Sequence, residues 1–236
     1  MLGIIGAMDA EVSAIKSKVN DKKTTSAAGT EFVCGTIENA DVCVVQCSPG
    51  KVNAALCTQM MIDKFGVTRI INVGVGCSLS DEVVIKDVVI ASDVCEYDID
   101  VTALGEPKGF INGLETVKIA TDSALSDELV RAAQSCGKTT HRGTVASGDT
   151  FIASSTMKAA LSEDFGAICG EMEGGAIGHV CAVNNVPFAV LRTISDGGNE
   201  EVQLDYPAFK IIAADISSSI IIKLLKKQKA QLSLNL

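Results

Sequence analysis

The chain has 236 residues, a formal net charge of −9 and 47% hydrophobic residues, of which few are aromatic. That apolar content supports a full core and excludes global disorder, while the acidic balance argues against nucleic-acid backbones and anionic membranes as partners. With nine cysteines but no C-x-x-C pair, and two histidines but no H-E-x-x-H, neither a zinc-finger spacing nor a zincin helix is present.

The predicted elements alternate. Leu2–Ile5 reads as a strand, followed by a helix with Asp9 as N-cap and Val12, Ile15 and Val19 on one face. Val42–Gln46 is a strand, Val52–Lys64 a helix, and Arg69–Val73 and Asp87–Ala91 two further strands. Ser126–Cys136 has helical spacing at Leu129, Ala132, Ala133 and Cys136. Thr144–Ala146, Ala167–Cys169 and Phe188–Arg192 complete the strands. A last helix covers Tyr206–Lys226, with Asp205 as N-cap and Pro207 in the first turn, and residues 227–236 read as a frayed basic tail. Several strands are continuous Val/Ile runs, as expected where both faces of a sheet are buried. Strands alternating with helices predict an α/β fold, and the absence of linkers or repeats predicts one domain over residues 1–236. The N-terminus lacks a basic region and long apolar segment, so no signal peptide is expected, nor any apolar run near the ~20 residues of a membrane span. The odd, scattered cysteines read as reduced thiols of a cytoplasmic protein.

Ligands of α/β sheets gather beyond the carboxyl ends of strands. Small residues plus an acid recur at those exits: Gly6-Ala7-Met8-Asp9-Ala10-Glu11, Ser147-Gly148-Asp149, Gly170-Glu171-Met172-Glu173-Gly174 and Thr193-Ile194-Ser195-Asp196-Gly197. Each acid also has a plainer reading: Glu11 as a first-turn helix residue, Asp149 as a cap, Asp196 as a turn residue, Glu171 and Glu173 as solvated turn residues. Arg192 inside an apolar strand is harder to dismiss, because a charge there needs a partner or ligand. Gly74-Val75-Gly76 lacks both the G-x-G-x-x-G pattern and a P-loop lysine, so tight backbone packing suits it as well as phosphate does. With so few histidines, carboxylates are the expected proton carriers, and two of them suffice to cleave an N-glycosidic bond: one protonates the leaving base, the other activates water.

The stretches GIIGAMDAEV (3–12), GKVNAA (50–55), DVTALG (100–105), ASGDTFI (146–152), EMEGGAIGHVC (171–181) and VPFAVLRTISD (186–196) together make the chain resemble the 5′-methylthioadenosine/S-adenosylhomocysteine nucleosidases, of the purine nucleoside phosphorylase/uridine phosphorylase family. The resemblance runs from Gly3 to about Leu225. It implies a three-layer α/β/α fold with a central mixed, mostly parallel twisted sheet. It implies hydrolysis of 5′-methylthioadenosine and S-adenosylhomocysteine, and of 5′-deoxyadenosine, to adenine and a 5′-substituted ribose, in methionine salvage. Glu11 then matches the general base, and Asp196 the acid that protonates adenine N7, oriented by Ser195. Glu173 matches the carboxylate that holds the ribose hydroxyls, above Met172. Arg192 matches the group that positions Glu173 and the water. Phe151 would stack on adenine and the Ile152 backbone would read its edge. Met8, Val101, Leu104 and Tyr206 would line the 5′ pocket, Leu104 coming partly from the partner of a homodimer. No metal or organic cofactor is implied. The chain departs from the family pattern at Val75, which lacks a hydroxyl, at Cys77 in place of glycine, at Pro49 beside the 5′ pocket, and at Leu104 and Tyr97. The alternative functions are a phosphate-dependent purine nucleoside phosphorylase, an aminodeoxyfutalosine nucleosidase and a non-catalytic storage or binding protein.

Overall fold

The computed structural model describes the backbone of residues 1–234 and the side chains of residues 1–226. Its strands are β1 (Leu2–Gly6), β2 (Asn20–Ala27), β3 (Thr30–Ile37), β4 (Ala40–Gln46), β5 (Arg69–Ser78), β6 (Val88–Glu96), β7 (Lys118–Ala120), β8 (Thr140–Ser147), β9 (Ala167–Glu171) and β10 (Phe188–Asp196). Its helices are α1 (Asp9–Ser17), α2 (Lys51–Phe65), α3 (Ser123–Ser135), α4 (Ser155–Phe165), α5 (Gly174–Val183) and α6 (Val202–Leu234). The result is the expected α/β fold, one mixed sheet with helices on both sides. β1 lies parallel between β4 and β5, and β4 leads outward through the antiparallel strands β3 and β2. On the other side the sheet closes on itself: β5 pairs with β10, β10 with β6, β6 with β8, β8 with β9, and β9 with the far end of β5.

Strand periodicity explains the two cores. Successive side chains point to opposite faces, so Ile4, Val42, Val44, Ile71, Val88 and Ile90 pack with α1, α3 and α6, whereas Ile5, Cys43, Val45, Ile70, Val89 and Ala91 pack with α2 and α5. Both faces are apolar, hence the unbroken Val/Ile runs. Gly76 packs as tightly as its sequence context suggested: a Cβ there would lie 2.7 Å from Cys169 Sγ and 2.9 Å from the Gly170 carbonyl.

Two helix starts differ from expectation. The N-cap of α1 is Met8, not Asp9, because the Glu11 carboxylate reaches back to the Met8 N–H and no polar cap side chain is needed. Helix α6 begins at Val202, so Asp205 lies within its first turn rather than capping it, and Pro207 lies inside the helix. The backbone of α6 continues to Leu234, through most of the segment read as a frayed tail; the tail's side chains lie outside the described residues. Among the described residues no helix is long and apolar enough to cross a membrane.

Candidate active site

Strand ends deliver the acids to one cavity of about 180 Å³. β1 exits through Ala7 and Met8 into α1, whose first turn carries Glu11. β5 supplies Val75, Gly76 and Cys77, and β9 exits through Gly170 to Glu171, Met172 and Glu173. β10 ends in Ser195 and Asp196. Its register against β5 shifts between Ile194 and Asp196, a bulge that turns both residues into the cavity. Pro49, Phe151, Ile152 and Tyr206 line the remainder.

Glu11 is buried and fully engaged. Oε2 accepts N–H bonds from Ala7 (2.7 Å) and Met8 (2.9 Å), and Oε1 accepts one from Val75 (3.0 Å). Burial raises its pKa above the ordinary value, against the opposing pull of Arg192 and the three backbone donors. Glu11 is the first-turn helix acid that its plainer reading describes, and it also forms part of the cavity wall.

Arg192 is the anchor of the floor. It is 1% exposed. Its Nη2 donates to Glu171 Oε2, to Asn72 Oδ1 at 2.6 Å and to Glu173 Oε2 at 3.4 Å. Glu171 also accepts from the Ser147 hydroxyl and from the N–H groups of Glu173 (2.9 Å) and Gly174 (2.8 Å). With the guanidinium and these donors outweighing its desolvation, its carboxyl is held below the ordinary range. Glu173 fares the opposite way. It accepts from the Gly50 N–H at 2.9 Å, but burial and the neighbouring Glu171 charge push it up, to about 8. Two adjacent carboxylates thus have opposite protonation tendencies set by their donors.

Asp196 is also buried, accepting from the Ser195 hydroxyl (2.9 Å) and the Gly198 N–H (3.0 Å), and burial raises its pKa. Cys77 lies beside it in register, its thiol pushed up by burial and by the Asp196 charge. A buried thiol with a raised pKa has little of the thiolate that reacts. At the mouth, Phe151 meets Tyr206 edge-on at 5.1 Å, and the Tyr206 hydroxyl donates to Met8 Sδ at 3.3 Å.

Of the residues singled out from sequence, Glu11, Asp196, Met8, Pro49, Val75, Cys77, Phe151, Ile152, Met172, Glu173, Ser195 and Tyr206 line this cavity, and Arg192 lies against its carboxylates. Val101 and Leu104 do not line it; Val101 precedes a single 3₁₀ turn and Leu104 is the last residue of that turn, 80% exposed. Three participants escaped sequence reading. Asn72, in the middle of β5, looked like one polar residue in an apolar run. Glu171 reads in sequence as a turn acid, and Ser147 as one of several small residues at a strand exit. A buried arginine demanding acceptors was the signal that could have found the first two.

The match to the phosphorylase superfamily spans residues 1–226. A 5′-methylthioadenosine/S-adenosylhomocysteine nucleosidase of Shewanella frigidimarina is 36% identical over 228 residues, covering 96% of this chain and 99% of that protein. An aminodeoxyfutalosine nucleosidase of Campylobacter jejuni is 32% identical over 226 residues, covering 96% and 98%. The crystal structure of the Neisseria meningitidis 5′-methylthioadenosine/S-adenosylhomocysteine nucleosidase in complex with methylthio-immucillin-A matches with a TM-score of 0.92 at 28% identity, covering 96% of this chain and 98% of that one. The chain therefore belongs to the phosphorylase superfamily, alongside the 5′-methylthioadenosine/S-adenosylhomocysteine nucleosidases.

Proposed function

We propose that the protein hydrolyses the N-glycosidic bond of 5′-methylthioadenosine and S-adenosylhomocysteine, releasing adenine. The observation that carries this reading is the convergence of Glu11 and Asp196, two buried carboxyl groups from separate strand exits, on one largely apolar cavity. Water's oxygen bonds to C1′ as the bond from C1′ to adenine N9 breaks. Glu11 takes the water's proton, and Asp196 gives its own to N7 of the leaving base. The raised pKa of Asp196 favours the protonated form that this step needs. Glu173, bridged between Gly50 and Arg192, binds the ribose hydroxyls. Phe151 and Ile152 hold the base, and Met172 lies under the sugar.

The lining favours water over phosphate as nucleophile. Among the described residues that line the cavity none is cationic, and Arg192 is already engaged by two carboxylates. A phosphate dianion would meet the Glu11 carboxylate that the mechanism keeps ionised. The 5′-substituent is the open variable, and the Campylobacter relative motivates aminodeoxyfutalosine as a second substrate. We further propose a cytoplasmic homodimer, active in methionine salvage, in which the exposed Leu104 of one subunit completes the 5′ pocket of the other; its 80% exposure supports this.

The test is adenine release from 5′-methylthioadenosine in phosphate-free buffer, with Glu11→Gln and Asp196→Asn alongside. Release by the wild type that falls by ~10²-fold or more in each variant is expected. Strict dependence on added phosphate would make the protein a phosphorylase. Parallel assays with aminodeoxyfutalosine rank the two 5′-substituents.

A further inference from the structure

The outer hairpin holds a pair of thiols that the active site does not use. Strands β3 and β4 are joined by Glu38 and Asn39, both with positive φ (50° and 75°). That is the two-residue turn whose twist matches antiparallel strands, and it fixes the register. Ile37 pairs with Ala40, Thr36 with Asp41, Gly35 with Val42 and Cys34 with Cys43. Counting outward from a two-residue turn, hydrogen-bonded and non-hydrogen-bonded pairs alternate, so Cys34 and Cys43 form a non-hydrogen-bonded pair. There the two Cα atoms lie roughly 4.5 Å apart and the side chains are closest, inside the roughly 4.4–6.8 Å that a disulfide spans. The side chains point to the same face, towards α2, and the two sulfurs are 2.7 Å apart. Closing to a bond of about 2.05 Å requires no strand movement.

The surroundings separate this pair from the other thiols. Cys77 and Cys169 also lie near one another, but both turn their sulfurs to the Gly170 carbonyl. Cys47 donates to the Ser48 carbonyl. Cys34 is half-buried and reaches solvent, whereas Cys43 is fully buried behind it.

We infer that Cys34 and Cys43 are a reversible disulfide site, closed by a hydroperoxide such as hydrogen peroxide. The Cys34 sulfur attacks the peroxide, the O–O bond breaks, and a sulfenic acid and one water result. The Cys43 sulfur then attacks the sulfenic sulfur and expels a second water. Two thiols and one peroxide give one disulfide and two waters, with both sulfurs oxidised and the peroxide oxygens reduced. A dithiol reductant reverses the step. The bond would staple β3 to β4 on the outer sheet, away from the cavity.

Peptide mapping of the full-length protein tests this. The reduced protein is treated with hydrogen peroxide, free thiols are capped, and trypsin with a glutamyl endopeptidase separates residues 32–38, which hold Cys34, from residues 39–51, which hold Cys43 and Cys47. The expected product is these two peptides joined, lighter by two hydrogens, with fragment ions placing the bond at Cys43 and Cys47 capped. Dithiothreitol should restore both thiols, and Cys43→Ser should leave Cys34 as a sulfinic acid. A Cys34 that becomes sulfinic in the wild type while Cys43 stays reduced would overturn the inference. So would a bond at Cys47, or an unreacted Cys34 under conditions that oxidise Cys136, which is also half-buried.

Discussion

A single methyl group on Gly74 would sit 2.7 Å from Glu11 Oε1 and 2.8 Å from Arg192 Nη1. Glycine at this position lets the proposed base and the buried cation approach the same point of β5. Gly74→Ala is expected to lower adenine release by about 10²-fold with the circular dichroism spectrum unchanged, because it displaces groups whose placement governs proton transfer. An active Gly74→Ala enzyme would refute that account of Glu11. Protonation gives a second test. Glu11 must be ionised and Asp196 protonated, and burial raises both, from ordinary values of 4.5 and 3.8. The profile of kcat/KM against pH should therefore be bell-shaped, with its acid limb above 4.5 and its alkaline limb assigned to Asp196. Asp196→Asn should abolish the alkaline limb in the residual activity. At this scale the sequence was informative: Glu11, Asp196 and Arg192 announce themselves as charges beside apolar strands. What it hid was the division of labour between Glu171 and Glu173, two residues apart. That division depends on which carboxylate Ser147 and the α5 backbone happen to face.

Asn72 ties three strands together. Its Nδ2 donates to the Ile5 carbonyl at 3.0 Å and its Oδ1 accepts from Arg192. A buried polar side chain with both ends satisfied is costly to remove, because its partners are left unpaired. Asn72→Val should reduce stability by about 1–3 kcal/mol in urea unfolding, and should lower kcat more than it raises KM, since it loosens Arg192 rather than the base pocket. Retention of wild-type stability would show that the Ile5 carbonyl and Arg192 find other partners. The elements that escaped prediction have physical reasons of their own. β2, with the sequence NDKKTTSA, is an edge strand with almost no buried residue, so it carries no apolar signature. α5 opens with two glycines and buries most of its length, so neither propensity nor amphipathic spacing marks it. Its glycines serve close packing: a Cβ on Gly175 would lie 2.9 Å from both Glu96 Cγ and Ser147 Cβ.

For the molecule as a whole, the raised acids impose a cost that the sequence alone does not reveal. Glu173 holds its proton up to about pH 8 when folded, and releases it near the ordinary 4.5 when unfolded. Between those values the folded state binds more protons than the unfolded one, so its contribution is full below about 4.5 and declines as pH rises towards 8. Urea midpoints of Glu173→Gln should fall less steeply than wild type across that interval; identical slopes would remove Glu173 as the source. The α/β class and the central strands were legible because Val/Ile runs report two-sided burial. Closure of the sheet was not, since pairing between β5 and both β10 and β9 is set by curvature rather than by composition. That closure also divides the molecule in time. Strand β5 is held on both sides by β1, β10 and β9, while β2 is bonded to β3 alone. In deuterium, the amide protons of β5 should be among the last to exchange, through opening of the whole molecule, while those on the outer side of β2 wash out early. The strand against which Glu11 and Asp196 are held would then open only with the whole molecule, and the periphery can flicker without disturbing it.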